Sequence, residues 1–329
     1  MLVFLNIKKY NFDKICWFLV RLLLDVLKFN CYNNIDYCLL GARMNKILIT
    51  AEGTCDLTPE LCSQYNIEIV GMNVNVDGVE YNTKTNPISS EDFYKAMKAD
   101  KKVSTSLVNE YTAKEFLETQ LKAGYDIVHI GFSRNLSGTY NNFISASEQL
   151  KEVYGDRIRI VDSLTACIGQ GFAAILTSKF NDGTKTLDEV ADYAKDISMH
   201  ISHIFIVDSL KYLARTGRIS KLTASIGTLL QIKPILHADN EGKLTNIQKV
   251  ISRKKSIQVL GQKAIDTKND MSDIVFIAHA NCIDEANILA NQIQQGLNIK
   301  PIIVDMSVII GSHTGPGALA VFYTSNERV

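Results

Sequence analysis

Between residues 46 and 180, short apolar runs alternate with amphipathic stretches, and no other feature constrains the fold as much. "KILIT" (46–50), "DIVHIGF" (126–132) and "RIRIVDS" (157–163) read as strands. Between and after them, 89–100, 112–125, 138–153 and 165–180 read as helices. The punctuation agrees. Thr58 is placed to cap a helix with Pro59 at its first position, Asp77-Gly78 suits a hairpin turn, and Gly124 stops a helix. Strands alternating with helices at this spacing predict a layered α/β domain with a mostly parallel sheet. In such sheets ligands sit at the carboxyl ends of strands, in the loops that lead into helices.

The second half is less regular. A helix over 186–199 leads to a strand at 203–209, then a hairpin around Asn240-Glu241-Gly242. A helix (254–268), a strand (273–280) and another helix (284–296) follow, and "KPIIVDMSVII" (300–310) closes on the glycine-rich 311–321. We therefore expect two α/β domains, 44–164 with a mostly parallel sheet and 165–329 with a mixed one. Residues 1–43 are expected to be an extension outside the fold, the working protein beginning at Met44. Their apolar stretch, 16–29, is interrupted by Arg21 and Asp25, whereas a spanning helix wants about 20 apolar residues. An amphipathic surface helix is the alternative there. The seven cysteines include no CxxC pair, which suits reduced thiols in a cytosol. Lys+Arg and Asp+Glu both total 35, a balance that argues against a protein built to grip nucleic acid.

Several motifs invite a chemical reading. Gly169, Gly171 and Ala174 mimic a dinucleotide fingerprint but fall inside a predicted helix, where small residues serve close packing. His200 and His203 are three apart, as if on one helix face, without the further ligands a zinc site needs. "SRNLSGTYNN" (133–142) lies between a strand and a helix start, whose open N–H groups attract an anion, and Ser137, Gly138 and Thr139 stand there. "VSTSLVNEYT" (103–112) brings Thr105 and Ser106 to a similar place. Plain helix capping accounts for either stretch read alone. "GSHTGPGALAV" (311–321) sets His313 and Thr314 among glycines, as a catalytic corner, a binding corner or only a tight turn. A hydrolase assembled from Ser137, His313 and Asp162 is the enzymatic alternative; a lipid-sensing regulator is a third, with no DNA-reading element to support it.

Taken together, "AEGTCDLTPEL", "STS" at 104–106, "GFSRNLSGTYNNFISA", "VDSLTACIGQG", "DSLKYLARTGRISK" with "IGTLLQIKPIL", and "GSHTGPGALAV" resemble the DegV family of fatty-acid-binding proteins. The motifs occur in the family's order, from about Met44 to the C-terminus. The resemblance implies a long-chain fatty acid in an interdomain tunnel, with no cofactor and no catalytic residue. It implies carboxylate contacts from Thr105, Ser106, Ser137, Gly138, Thr139, His313 and Thr314. It further implies a cytoplasmic carrier that presents the acyl group to a fatty acid kinase for bacterial phospholipid synthesis. Within the basic string Lys211, Arg215, Arg218 and Lys221, Arg215 and Arg218 are then the expected docking residues for the kinase. "SRKKS" (252–256) reads as transient contact with anionic lipid or as a plain helix start. The chain departs from the family at Glu52-Gly53, where relatives carry Asp-Ser, and at Leu107-Val108, where they carry Gln-Pro. The first departure removes a hydroxyl expected near the head group, and the second alters the tunnel wall.

Overall fold

The parallel pattern begins with β1 (Ile47–Glu52), buried from Leu48 onward as a strand covered on both faces must be. Helix α1 (Pro59–Gln64) starts where the Thr58 side chain accepts from Leu61 N–H, with Pro59 at its first position. After β2 (Ile67–Val70), β3 (Asn73–Val76) and β4 (Val79–Asn82) form a hairpin whose Asp77-Gly78 turn has positive φ at both residues. Helix α2 (Ser90–Lys98) is capped by Ser89, and β5 (Val103–Thr105) pairs antiparallel with β3. Helix α3 (Glu110–Lys122), β6 (Asp126–Gly131), α4 (Thr139–Tyr154) and β7 (Ile158–Asp162) complete this half. The computed structural model describes residues 46–219 and 232–329. The expected extension over 1–43, with the apolar stretch at 16–29, lies outside them, as do Lys221 and residues 226–231 of "IGTLLQIKPIL".

The first sheet has strand order β2-β1-β6-β7, all parallel. The chain leaves β1 for one side and later returns on the other through β6. The switch point therefore lies between β1 and β6, where a crevice opens at the carboxyl ends of the strands. Those ends carry Thr54 and the loop to Ser137.

Helix α5 (Ile168–Phe180) is buried from Ile168 through Thr177, because it packs on β1 and β6 and also on the second sheet. A Cβ at Gly171 would lie 2.4 Å from the Cys55 carbonyl oxygen, so the fingerprint-like glycines serve close packing. The expected boundary at 164 falls just before this shared helix. After α6 (Leu187–Met199), capped by Thr186 and Glu189 in a capping box, come β8 (Ile201–Ile206), α7 (Lys211–Arg215), β9 (Ile232–Ala238) and β10 (Leu244–Ile251). Helix α8 (Arg253–Thr267), β11 (Phe276–His279), α9 (Ile283–Leu297), β12 (Ile302–Asp305), α10 (Val308–Thr314) and β13 (Leu319–Thr324) follow. The second sheet is mixed, in the order β10-β9-β8-β13-β11-β12, with β11 and β12 parallel and the other pairs antiparallel. Residues 46–329 form one compact unit. Phe172 of α5 meets Phe276 of β11 edge-on at 5.3 Å, joining the layers.

Two stretches differ from a plain reading of their residues. Residues 300–310 are not one element. The strand ends at Asp305, and Val308–Thr314 is helical, opened by Ser307, whose hydroxyl accepts from Ile310 N–H and whose own N–H reaches Asp56 Oδ1 at 2.9 Å. Capping and burial of Val308–Ile310 outweigh the β propensity of a Val-Ile-Ile run. His200 and His203 do not share a helix face either: His200 caps the end of α6, and His203 lies within β8.

Candidate functional site

A mostly apolar cavity of about 170 Å³ lies where the parallel sheet's switch point faces the second sheet. One water needs roughly 10–15 Å³ of such space, so the cavity has room for far more than a single water. Its apolar wall includes Met72, Phe132, Phe205, Leu213, Met306 and Ile309. Its polar wall includes Thr105, Ser106, Ser137, Gly138, His313 and Thr314, so the structure draws these residues into one place from three separate segments.

Thr105 ends β5, and its hydroxyl lies 3.0 Å from His313 Nε2 although the two are 208 residues apart. His313 is carried by α10, which Gly315 terminates. Gly315 has φ +76°, and a Cβ there would lie 2.2 Å from the Tyr212 ring, so no other residue fits without moving α7. His313 Nδ1 is buried without a partner. Burial pulls the His313 pKa down to about 4, with the positive charges of Arg218 and Arg215 adding to the effect. The imidazole is therefore neutral at pH 7.

Ser137 precedes α4. Its Oγ accepts from Thr139 N–H at 3.2 Å and donates to Thr139 Oγ1 at 3.1 Å. Thr139 is buried behind the cavity wall, and its hydroxyl also accepts from Val108 N–H at 3.3 Å. It positions the site from behind. Gly138 lies on the rim at the start of α4, where no side chain caps the helix. The Thr314 hydroxyl is directed back to the Ile310 carbonyl at 3.2 Å.

Both basic residues are exposed. The Arg215 guanidinium lies 5.4 Å from the Tyr212 ring centre. Arg218 in addition lines the cavity and bonds the Thr216 carbonyl. Sequence reading also passed over Thr54 and Cys167 and took His203 only as half of a pair with His200; all three line the cavity. Thr54 donates to Gln170 Oε1 at 2.8 Å, and the Cys167 thiol donates to Asp56 Oδ2 at 2.6 Å. Burial raises the Asp56 pKa to about 6 against the pull of those donors.

The two departures in sequence have local explanations. Glu52 is fully buried and accepts from Phe132 N–H at 3.0 Å while lying 3.0 Å from His129 Nε2. It thus fixes the start of the loop that carries Ser137. At Gly53, a Cβ would lie 2.6 Å from Thr83 Oγ1, so Thr83 fills the space a serine would need. Leu107 contributes to the cavity wall, as expected of its changed position.

The hydrolase arrangement does not assemble. Ser137 Oγ bonds Thr139, His313 Nε2 bonds Thr105, and the Asp162 carboxylate takes the N–H groups of Leu164 and Arg134. With Nδ1 unpartnered, no carboxylate orients His313 as a triad requires. Among the described residues, no group of three or more His, Cys, Asp or Glu side chains is arranged for a metal, and no helix is long and apolar enough to cross a membrane.

A sequence model described as "Uncharacterised protein, DegV family" matches residues 46–326. A DegV domain-containing protein of Clostridium perfringens is 36% identical over 291 residues, which span 87% of this chain and 99% of that one. Among solved structures, a DegV lipid-binding protein of Thermotoga maritima superposes with a TM-score of 0.74 at 25% identity, over 86% of this chain and 100% of its own. A fatty-acid-binding DegV family protein of Streptococcus agalactiae superposes with a TM-score of 0.76 at 23% identity, over the same shares, and shares the fold.

Proposed function

The chain belongs to the DegV family, and on that premise we propose that it holds a long-chain fatty acid in this cavity and presents the carboxylate to a fatty acid kinase. The observation that carries the reading is a mostly apolar cavity wall to which Thr105, His313 and the start of α4 contribute polar groups. Burying about 15 methylenes at roughly 0.8 kcal/mol each is worth about 12 kcal/mol before entropic costs, so few polar contacts are needed and those mainly orient. Thr105, Ser106, Ser137, Gly138, His313 and Thr314 face the carboxylate, and Thr139 holds Ser137 in place. The lipid-binding relative from Thermotoga maritima supports the ligand class.

Arg218 supplies positive charge to the carboxylate end, and Arg215 remains exposed for the kinase. The protein is a carrier rather than a catalyst, needs no cofactor, and works in the bacterial cytoplasm, where acyl phosphate feeds phospholipid synthesis. Titrating delipidated protein with stearic and oleic acid, then adding kinase and ATP, tests both halves. Arg215→Ala is expected to slow acyl-phosphate formation with lipid affinity unchanged, whereas Arg218→Ala weakens both. Absence of binding by either acid contradicts the reading.

A further inference from the structure

His203 does not fit a wall made for a plain hydrocarbon tail. It is only 4% exposed and lines the cavity from β8. Its ring is fixed by stacking on Phe322, with centres 4.4 Å apart, and by Phe205 at 5.2 Å. Nδ1 lies 3.3 Å from Thr165 Oγ1. Nε2 has no hydrogen-bond partner among the described residues. For so buried a side chain, the cavity it lines is the space the ring faces.

Depth follows from strand geometry. The chain runs from β8 toward α7 and Arg218, at the carboxylate end of the cavity. His203 and Phe205 both line the cavity and are two residues apart in β8, about 7 Å along the strand at ~3.4 Å per residue, so they line it at different levels. Burial drives the His203 pKa down to about 3, which leaves a neutral ring with one N–H and one lone pair. Such a ring matches a hydroxyl or oxo group and offers no charge to a carboxylate.

Resting on the fatty-acid reading, we infer that the preferred cargo is an oxygenated fatty acid, with a hydroxyl or oxo group along its chain that pairs with His203 Nε2. A saturated hydrocarbon tail leaves that nitrogen buried and unpaired, which sites built for a hydrogen bond penalise by about tenfold or more.

The test is competitive binding to delipidated protein of stearic acid against 10- and 12-hydroxystearic acid, for wild type, His203→Leu and His203→Gln. Wild type is expected to bind one hydroxy acid at least tenfold tighter than stearic acid. His203→Leu should abolish or reverse that ratio, and His203→Gln should keep part of it. Equal or tighter binding of stearic acid by wild type overturns the inference without any variant. So does a hydroxy-acid preference that persists in His203→Leu. Binding of none of the acids overturns the carrier reading itself and this inference with it.

Discussion

At the scale of single residues, the Thr105–His313 contact is the interaction most open to measurement. A double-mutant cycle with Thr105→Val and His313→Ala is expected to show a coupling of about 1 kcal/mol in fatty-acid affinity, each single change costing roughly tenfold. Additive effects would separate the two residues. The depressed His313 pKa has a sign that acid denaturation can read. Its folded value, about 4, lies below the ordinary 6.5, so the unfolded chain binds the proton first as pH falls. The stability it contributes is fully present above pH 6.5 and lost as pH falls toward 4. Asp56 has the opposite sign. Raised to about 6 from 3.8, it favours the fold at low pH, and that contribution is lost as pH rises through 6. His203, lowered to about 3, acts in the same direction as His313, and Asp56 acts against both. In urea denaturation at pH 7 and pH 5, the stability change on acidification is therefore expected to be less destabilising in His313→Gln than in wild type by roughly 1–2 kcal/mol. The pairing of Thr105 with His313 could not be read from spacing, since 208 residues intervene. The residue types at both positions were legible because hydroxyls and a histidine stood beside glycines and helix starts. His203 was legible only as half of a misplaced pair, because its meaning depends on the cavity in front of it.

At the scale of elements, the Thr58 cap was plain in the sequence, and Ser89 and Thr186 open the helices they precede in the same way. Helix α10 was not. Its Val-Ile-Ile run carries strand propensity, and the cap that decides the matter relies on Asp56, 251 residues away. Gly315→Ala meets both a positive φ and the Tyr212 ring. It is expected to cost about 1–3 kcal/mol in chemical denaturation and to weaken fatty-acid binding by displacing His313. A neutral outcome on both measures would mean that the turn does not position the histidine. The Ser137 loop is braced at its start by Glu52 and along its length by the β9–β10 turn. Ser133 Oγ donates to the Gly242 carbonyl at 2.8 Å, and Asn135 Nδ2 donates to the Glu241 carbonyl at 2.6 Å. Glu52→Leu leaves Phe132 N–H and His129 Nε2 unpaired in a fully buried setting and should destabilise by about 1–3 kcal/mol, read as a lowered urea midpoint.

At the scale of the whole molecule, the alternation of runs predicted both α/β layers, but not that α5 would be shared between them. A helix apolar on every side cannot be assigned to one sheet from its sequence. The C-terminal Arg328 adds a second tie, donating to the carbonyls of Leu164 at 2.6 Å and Ser163 at 2.8 Å. Because the cavity takes its wall from both sheets, a bound acyl chain should stabilise the folded state as a unit. At a ligand concentration 100 times Kd the gain is about 2.7 kcal/mol, visible as a rise of several degrees in the thermal midpoint. The most direct measurement is native mass spectrometry of residues 44–329 purified from a bacterial host. A stoichiometric adduct with the mass of a fatty acid, diminished in His313→Ala, is the expected result. A clean apo mass that stays apo when fatty acid is added would contradict it.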